Sequence, residues 1–518
     1  MGPAGSVVDV SNGWLVLLGI AALLLVLVIW DITQKKHSIL RTWPILGHFR
    51  FILELVGPEL RQYIVTSNDS ERPFSRDQRR WIYSTSKGQD NRFGFGTDMD
   101  LELTPNHVIV RPAAFPPQGP VPIPGSPVPV AKILGAHRGR THAFRPASIV
   151  NISGMSFGAL SGPAVESLNR GATIGGAFQS TGEGGLSPYH QCGGDLIFQV
   201  GTGYFGCRDE KGNFDLARLV AICQQNPVRA IEVKLSQGAK AGLGGMLPAV
   251  KVSSEIAAIR GVPAGVDCVS PPYHRAFSDE DSLLDFVERI ADATGLPVGI
   301  KSAVGDEGFW ARLAKLMASE DRGVDFVVID GGEGGTGAAP LAFTDNVGLP
   351  LTLALATVVR IFGEHGINQQ VVIAASGRLG LPERGIQAFA IGCDWINVGR
   401  EVMLSAGCIQ SQRCHTDRCP TGVATQNKWL ARGIDPASKS ERVGRYLFGI
   451  REEILALART AGAVHPAALR PDDVDVLNGR EGSRSVAAEF GIAPGWASPS
   501  ESDLALLMRD WRAAAVPA

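Results

Sequence analysis

From about residue 148 the chain repeats one unit: a short apolar run rich in β-branched residues, a Gly-rich turn, then a segment of helix length. The runs are ASIVNIS, GAFQST, DLIFQVG, RAIEVKLS, LPVGIKS, VDFVVID, QVVIAAS and WINVG. Strands that are apolar along their whole length must be covered on both faces, and helices flanking a parallel sheet supply that cover. Eight such units favour closure into a (β/α)8 barrel over an open doubly wound sheet. A ninth run, GVDCVSPP, is assigned to a long excursion after the fourth strand.

A second apolar feature precedes the barrel. Trp14 to Trp30, WLVLLGIAALLLVLVIW, is an uncharged run of about 17 residues with a Trp at each end, long enough to cross a bilayer core as a helix and flanked as interfacial belts are. A cleaved signal peptide is the alternative, but no basic stretch precedes the run and no A-x-A site follows it. The expected architecture is therefore α/β, a TIM barrel with an N-terminal transmembrane helix. Lys35, Lys36, His37 and Arg41 follow the run and no Lys or Arg precedes it, which places the bulk of the chain in the cytoplasm. Expected segments are a tail 1–13, an anchor 14–30, a juxtamembrane and linker region 31–132, a barrel domain 133–465 and a C-terminal tail 466–518. Helical hints lie in FRFILELVGPELRQYIV, and the Pro-dense residues 111–132 read as extended.

Charge excludes one class of partner. With 49 Lys+Arg against 51 Asp+Glu, the chain has no basic excess of the kind a nucleic-acid binder uses. Eight cysteines, dispersed except for the last three, do not form a disulfide framework.

In a barrel of this kind the reactive groups lie just past the strand C-termini. Those positions hold Met155 and Ser156 after the first strand, Thr181 and Glu183 after the second, Lys234 and Gln237 at the fourth, and Lys301 at the fifth. Gly334, Gly335 and Thr336 follow the sixth, Gly377 the seventh, and Gly399 and Arg400 the eighth. Glycine clusters after the last three strands allow backbone N–H groups to converge on a phosphate. Lys301, inside VGIKSAVG, either sets a cation against an electron-rich group such as the N1/C2=O edge of a reduced flavin, or pairs with a core carboxylate such as Asp330. Cys408, Cys414 and Cys419 lie in CIQSQRCHTDRCPTGVATQ. Close spacing and a Pro after the last thiol suit iron–sulfur ligation; zinc with His415 as fourth ligand is the alternative.

The motifs SGMSFGALS, STGEGG, EVKLSQGAKAGLGG, SPPYH, GGEGGTGAAP and CIQSQRCHTDRCPTGVATQ, in this order from about residue 90 to 465, resemble the synthase domain of glutamate synthases. The resemblance implies a (β/α)8 barrel with FMN and a 3Fe-4S cluster, and reductive amination of 2-oxoglutarate with ammonia. By motif, Cys408, Cys414 and Cys419 would hold the cluster. Lys240 and Arg260 would bind the substrate carboxylates, and Glu183 would lie near the imine carbon. Lys301, Met155, Ser156, Thr181, Gly334, Gly335, Thr336, Gly377, Gly399 and Arg400 would hold FMN.

Two features depart from that family. Met246 stands where a substrate-binding Gln is expected, and Leu243 replaces an acid. The N-terminus reads as an anchor, with no Cys before residue 192, so ammonia is expected free, as an amine, or from a separate glutaminase subunit. No G-x-G-x-x-G follows a strand in the right context, so electrons are expected from a ferredoxin-like or membrane donor. The rival functions are an FMN-barrel dehydrogenase or isomerase acting on a phosphorylated substrate, and a non-catalytic electron-transfer subunit.

Overall fold

The computed structural model describes residues 10–92, 94–117, 125–480 and 482–514. The first nine residues of the expected tail, residues 118–124 of the Pro-dense stretch and the last four residues of the chain lie outside them. The chain divides into two compact units, Met1–Asp77 and Gln78–Ala518.

In the first unit a helix spans Val10–Thr33. Its stretch Gly13–Thr33 is long and apolar enough to cross a membrane, with a mean hydropathy of 2.9. Its large apolar side chains from Trp14 to Trp30 are exposed, except Leu27 and Val28, which are half-buried. The helix is tied to the segment after it by Asp31, whose buried carboxylate accepts from the backbone N–H of Ile45 (3.0 Å) and pairs with Nε2 of His48 (3.0 Å). Helix Gly47–Leu60, continued by a wider turn over Arg61–Val65, coincides with the helical hints of that region.

The second unit is built on a closed barrel of eight parallel strands, one on each of the eight apolar runs: β1 Val150–Ile152, β2 Gln179–Ser180, β3 Leu196–Val200, β4 Val228–Lys234, which starts one residue before its run, β5 Val298–Ser302, β6 Phe326–Asp330, β7 Val372–Ser376 and β8 Trp395–Val398. Neighbours in sequence pair around the ring, and β8 closes on β1 through the register Ile396↔Val150 to Val398↔Ile152. The base of the barrel is filled by Trp395, whose ring meets Phe178 edge-on at 5.9 Å and Phe326 at 5.7 Å, an arrangement aromatic quadrupoles favour.

The strand–helix rhythm fails once. Between β2 and β3 only a short turn, Pro188–His190, replaces a helix, because TGEGGLSP carries three glycines and a proline, all poor helix formers. The ninth apolar run, as expected, lies in the excursion after β4. There Cys268–Val269 pairs antiparallel with Met246–Leu247, ahead of the helix Glu280–Thr294 that leads to β5. A three-stranded antiparallel sheet that the sequence did not suggest joins Pro105–Val110 to Val474–Asn478 and Ser483–Ser485.

Candidate active site at the carboxyl end of the barrel

The residues at the strand C-termini form two charged groups. In the first, Glu183 on the loop after β2 is paired with Lys234 at the end of β4, Oε1 to Nζ 2.9 Å. Burial alone would raise the Glu183 carboxyl, but Lys234 first, then Lys240 and Arg260, bring it down to about 2. The three residues assigned to substrate chemistry, Glu183, Lys240 and Arg260, are thus brought together, with Lys234 as a fourth member. Lys240 is buried and donates to the carbonyl of Gly244 (3.0 Å). Its pKa is lowered by burial, against the pull of Glu183. Arg260, at the end of helix Ser254–Arg260, donates to the carbonyl of Phe157 (3.1 Å) and to Oγ of Ser156 (3.4 Å) and lies over the Phe205 ring at 5.2 Å. Among the described residues its buried Nε has no hydrogen-bond partner.

Tyr204 and His274 hold the floor of this group. The Tyr204 hydroxyl accepts from the backbone N–H of Arg275 (3.0 Å) and Ala276 (3.1 Å) and donates to Nδ1 of His274 (3.2 Å), whose Nε2–H donates to the carbonyl of Lys234 (2.9 Å). Burial pushes His274 down to about 4, so the imidazole is neutral near pH 7. The SPPYH motif contains His274. No local pattern marks Tyr204, whose backbone sits at φ +51°.

The second group is Lys301 on β5 with Asp330 at the end of β6, Nζ to Oδ2 3.6 Å, so the core pairing foreseen for Lys301 is present. Burial would lower the lysine, but Asp330 and then Glu232 raise it. Glu232 is raised by burial and accepts from Nε2 of Gln199. Asp330 Oδ2 also accepts from the N–H of Gly238 (2.9 Å).

The mouth above is kept open by glycine. A Cβ at Gly154 would come within 2.9 Å of Gln199 Nε2 and 3.0 Å of Ser180 Oγ, and one at Gly182, where φ is +69°, within 2.6 Å of the Ser156 nitrogen. Ser180 Oγ is buried and has no hydrogen-bond partner among the described residues. Met155 and Ser156 are half-buried on the β1 loop. Thr181 is buried, and its hydroxyl is engaged locally, accepting from Gln199 N (3.1 Å) and donating to Gly182 O (3.0 Å). After β6, Gly334 is half-buried while Gly335 and Thr336 are exposed. The Arg400 stem packs where a Gly335 Cβ would be, and its guanidinium donates to the Glu333 carbonyl. Gly377, at φ +137°, approaches the nitrogen of Gly331, and Gly399 abuts Ser153. A small cavity of about 90 Å³ opens between the β6 and β7 loops, bordered by Glu333, Leu351, Gly377, Arg378 and Arg384. Backbone bared by Gly154 and Gly182 beside an unpaired buried hydroxyl, together with a buried lysine and glycine loops after β6 to β8, fits a flat, phosphate-bearing cofactor such as FMN.

Cys408, Cys414 and Cys419 lie on the loop after helix Arg400–Ala406. Left-handed backbone at Gln410, Gln412 and Asp417 folds this loop tightly; Cys414 and Cys419 act electrostatically on Cys408, and Cys419 on Cys414. Burial pushes Cys408 up to about 12. Cys419 is different: burial would raise it, but the N–H groups of Ala424, Thr421 and Val423 and the Thr421 hydroxyl bring it below its ordinary value. Among the described residues no three His, Cys, Asp or Glu side chains converge on one point, and His415, the fourth ligand of the zinc alternative, is exposed. Three neighbouring thiols, one among N–H donors, fit a larger anionic group such as an iron–sulfur cluster. A Gly337 Cβ would lie 3.2 Å from Cys414 Cβ, so the β6 loop abuts the cysteine loop.

The conserved region in glutamate synthase matches residues 137–464. A glutamate synthase large subunit-like protein of Bacillus subtilis (strain 168) is 36% identical over 508 residues, covering 89% of this chain and 96% of the relative. The archaeal glutamate synthase [NADPH] of Methanocaldococcus jannaschii is 38% identical over 323 residues, covering 60% of this chain; the chain spans only 59% of that relative's length. A solved mandelate oxidase variant with a monooxide FMN adduct aligns with 75% of this chain and 93% of its own, at 17% identity and a TM-score of 0.41. By the region matched and by its likeness to the Bacillus protein, the chain belongs to the glutamate synthase family of oxidoreductases.

Proposed function

We propose that this protein catalyses the reductive amination of 2-oxoglutarate, or a related 2-oxo acid, by ammonia or an amine. For 2-oxoglutarate and ammonium the balance takes up two electrons and two protons and yields glutamate and water. The observation that carries the proposal is the charge at the mouth: one carboxylate, Glu183, faces the cations Lys234, Lys240 and Arg260. The surplus of two positive charges matches the two carboxylates of the substrate.

In this proposal Lys240 and Arg260 bind those carboxylates. Glu183 stays ionised at neutral pH, so it attracts and orients ammonium and does not act as a proton donor. When bound, FMN would supply hydride chemistry and a 3Fe-4S cluster single-electron chemistry. Lys301, Met155, Ser156, Thr181, Gly334, Gly335, Thr336, Gly377, Gly399 and Arg400 would hold FMN; Cys408, Cys414 and Cys419 would hold the cluster. Electrons come from a ferredoxin-like or membrane donor, and ammonia comes free or from a separate glutaminase subunit. The apolar helix anchors the chain in the cytoplasmic membrane, and the basic residues after it keep the barrel on the cytoplasmic side.

The test is a visible and EPR spectrum of anaerobically purified protein, followed by addition of 2-oxoglutarate and ammonium to the reduced form. Flavin bands, an oxidised 3Fe-4S signal and reoxidation only with both substrates are expected. A flavin that stays reduced with both present sinks the proposed substrates.

A further inference from the structure

Lys251 has no part in the chemistry above, yet it is among the most deeply buried cations of the barrel unit. It sits in the excursion after β4, on a short turn Ala249–Lys251 just before the helix that carries Arg260. Its ammonium donates to three carbonyl oxygens, those of Cys414 (2.7 Å), Ala424 (3.0 Å) and Ala159 (3.5 Å). All three hydrogen-bond partners are neutral. The Asp417 carboxylate makes no hydrogen bond to it and is occupied by the backbone N–H of Gln426 (2.6 Å) and the Thr425 hydroxyl (3.1 Å). A buried charge with only neutral partners is costly unless an opposite charge arrives beside it.

The surroundings give that charge a direction. Cys414 and Ala424 flank Cys419, so Lys251 grips the cysteine loop on both sides of that thiol. Ala159 belongs to the loop after β1, where four successive carbonyls are held by side chains from other segments: Phe157 by Arg260, Gly158 and Leu160 by Gln426, and Ala159 by Lys251. The loop after β1, the cysteine loop and the excursion bearing Lys240 and Arg260 therefore meet at one ammonium.

We propose that Lys251 is a positioning residue for the cysteine loop, pinning its backbone on either side of Cys419 and supplying the fixed positive charge that favours the reduced state of an iron–sulfur cluster held there. Adding one electron to such a cluster makes it more negative. A cation fixed in a dry site beside it stabilises that product and raises the reduction potential. The inference rests on the proposed binding of a cluster by Cys408, Cys414 and Cys419.

The experiment compares the full-length parent with Lys251→Met, Lys251→Gln and Lys251→Arg, each assayed for iron, labile sulfide, flavin content and far-UV circular dichroism, and titrated potentiometrically with EPR detection. The expected result is a loaded cluster whose potential moves to more negative values in the Met and Gln variants and returns toward the parent's in the Arg variant. Loss of cluster from the Met and Gln variants, with flavin and fold kept and the cluster recovered in the Arg variant, also supports it. A loaded Met variant with the parent's potential overturns it, and so does loss of fold and flavin in all three variants. A parent without iron and sulfide overturns the cluster assignment itself, an outcome separate from the variants' behaviour.

Discussion

Oε1 of Glu183 lies 2.9 Å from Nζ of Lys234, two residues that enter from different strands of the barrel, β2 and β4, and are both largely shielded from solvent. With the folded carboxyl at about 2 against an ordinary 4.5, the group contributes ~3 kcal/mol of stability. Because the folded value is the lower one, this contribution is complete above about pH 4.5 and is lost as the pH falls toward 2. Lys234→Met removes the strongest of the charges responsible. It should destabilise the protein at pH 7 and do so progressively less as the pH approaches 3, as followed by urea unfolding. An equal loss at both ends of that range would mean that the pair does not set the carboxyl's charge.

Arg260 cannot be replaced by lysine. Its guanidinium reaches Phe157 O and Ser156 Oγ while stacking over Phe205, and a point-charge ammonium cannot do all three. Arg260→Lys should weaken 2-oxoglutarate binding about 10-fold or more, the scale of one charged hydrogen bond, with flavin content unchanged. Calorimetric titration measures this; an unaltered Kd would remove Arg260 from the substrate site.

The parts of this molecule that could be read from sequence are those in which the informative residues are neighbours. β-Branched runs separated by helix-length segments fix eight strands, and the strand ends then place Lys301, Glu183 and the late glycine loops at one mouth. The Cys408–Cys419 spacing is likewise local. What was not legible depends on partners far along the chain. Lys251 gains its meaning only from carbonyls at Ala159, Cys414 and Ala424, and Pro105–Val110 becomes a strand only through Val474–Asn478. Lys234 was visible as a strand-end lysine, but not its partner across two strands. The absent helix after β2 is missed when interval length is weighed without the glycines of TGEGG.

Tyr204→Phe keeps the buried ring and deletes only the hydroxyl. The backbone N–H groups of Arg275 and Ala276, at the partly exposed edge of the site, then lose their acceptor, and the buried Nδ1 of His274 loses its donor. The cost should be about 1–2 kcal/mol, since only the His274 nitrogen is left unpaired in a dry place and such a group costs about 1–3 kcal/mol. Denaturant unfolding measures it, and a change below about 0.5 kcal/mol would contradict the network.

A variant lacking residues 1–35 should move from the membrane pellet to the supernatant after cell lysis while retaining flavin, since the removed stretch contains the exposed apolar helix. Persistence in the pellet after a carbonate wash would show that another surface binds the membrane.

Lys132 tests the opposite end of the barrel. Its ammonium donates to Asn368 O (2.8 Å), Val371 O (3.1 Å) and Asp394 Oδ2 (3.1 Å), just before β7 and β8 begin, and both charged side chains are buried. Lys132→Met leaves the Asp394 carboxylate without a counter-charge in a dry site, and breaking a buried pair in this way costs about 3–5 kcal/mol. Burial already raises Asp394 above its ordinary value even with Lys132 beside it, so the native state holds the proton more tightly than the unfolded chain. The penalty of an ionised Asp394 is therefore relieved as the pH falls, and the deficit of Lys132→Met should shrink between pH 7 and pH 5. Adding Asp394→Asn, which removes the stranded charge, should recover part of the loss, and the double-mutant cycle measures the coupling. Flavin and iron content should not change in any of these variants, because the amino-terminal face of such a barrel serves stability and the carboxyl-terminal face carries the chemistry. Loss of flavin from Lys132→Met under conditions where the protein stays folded would break that division.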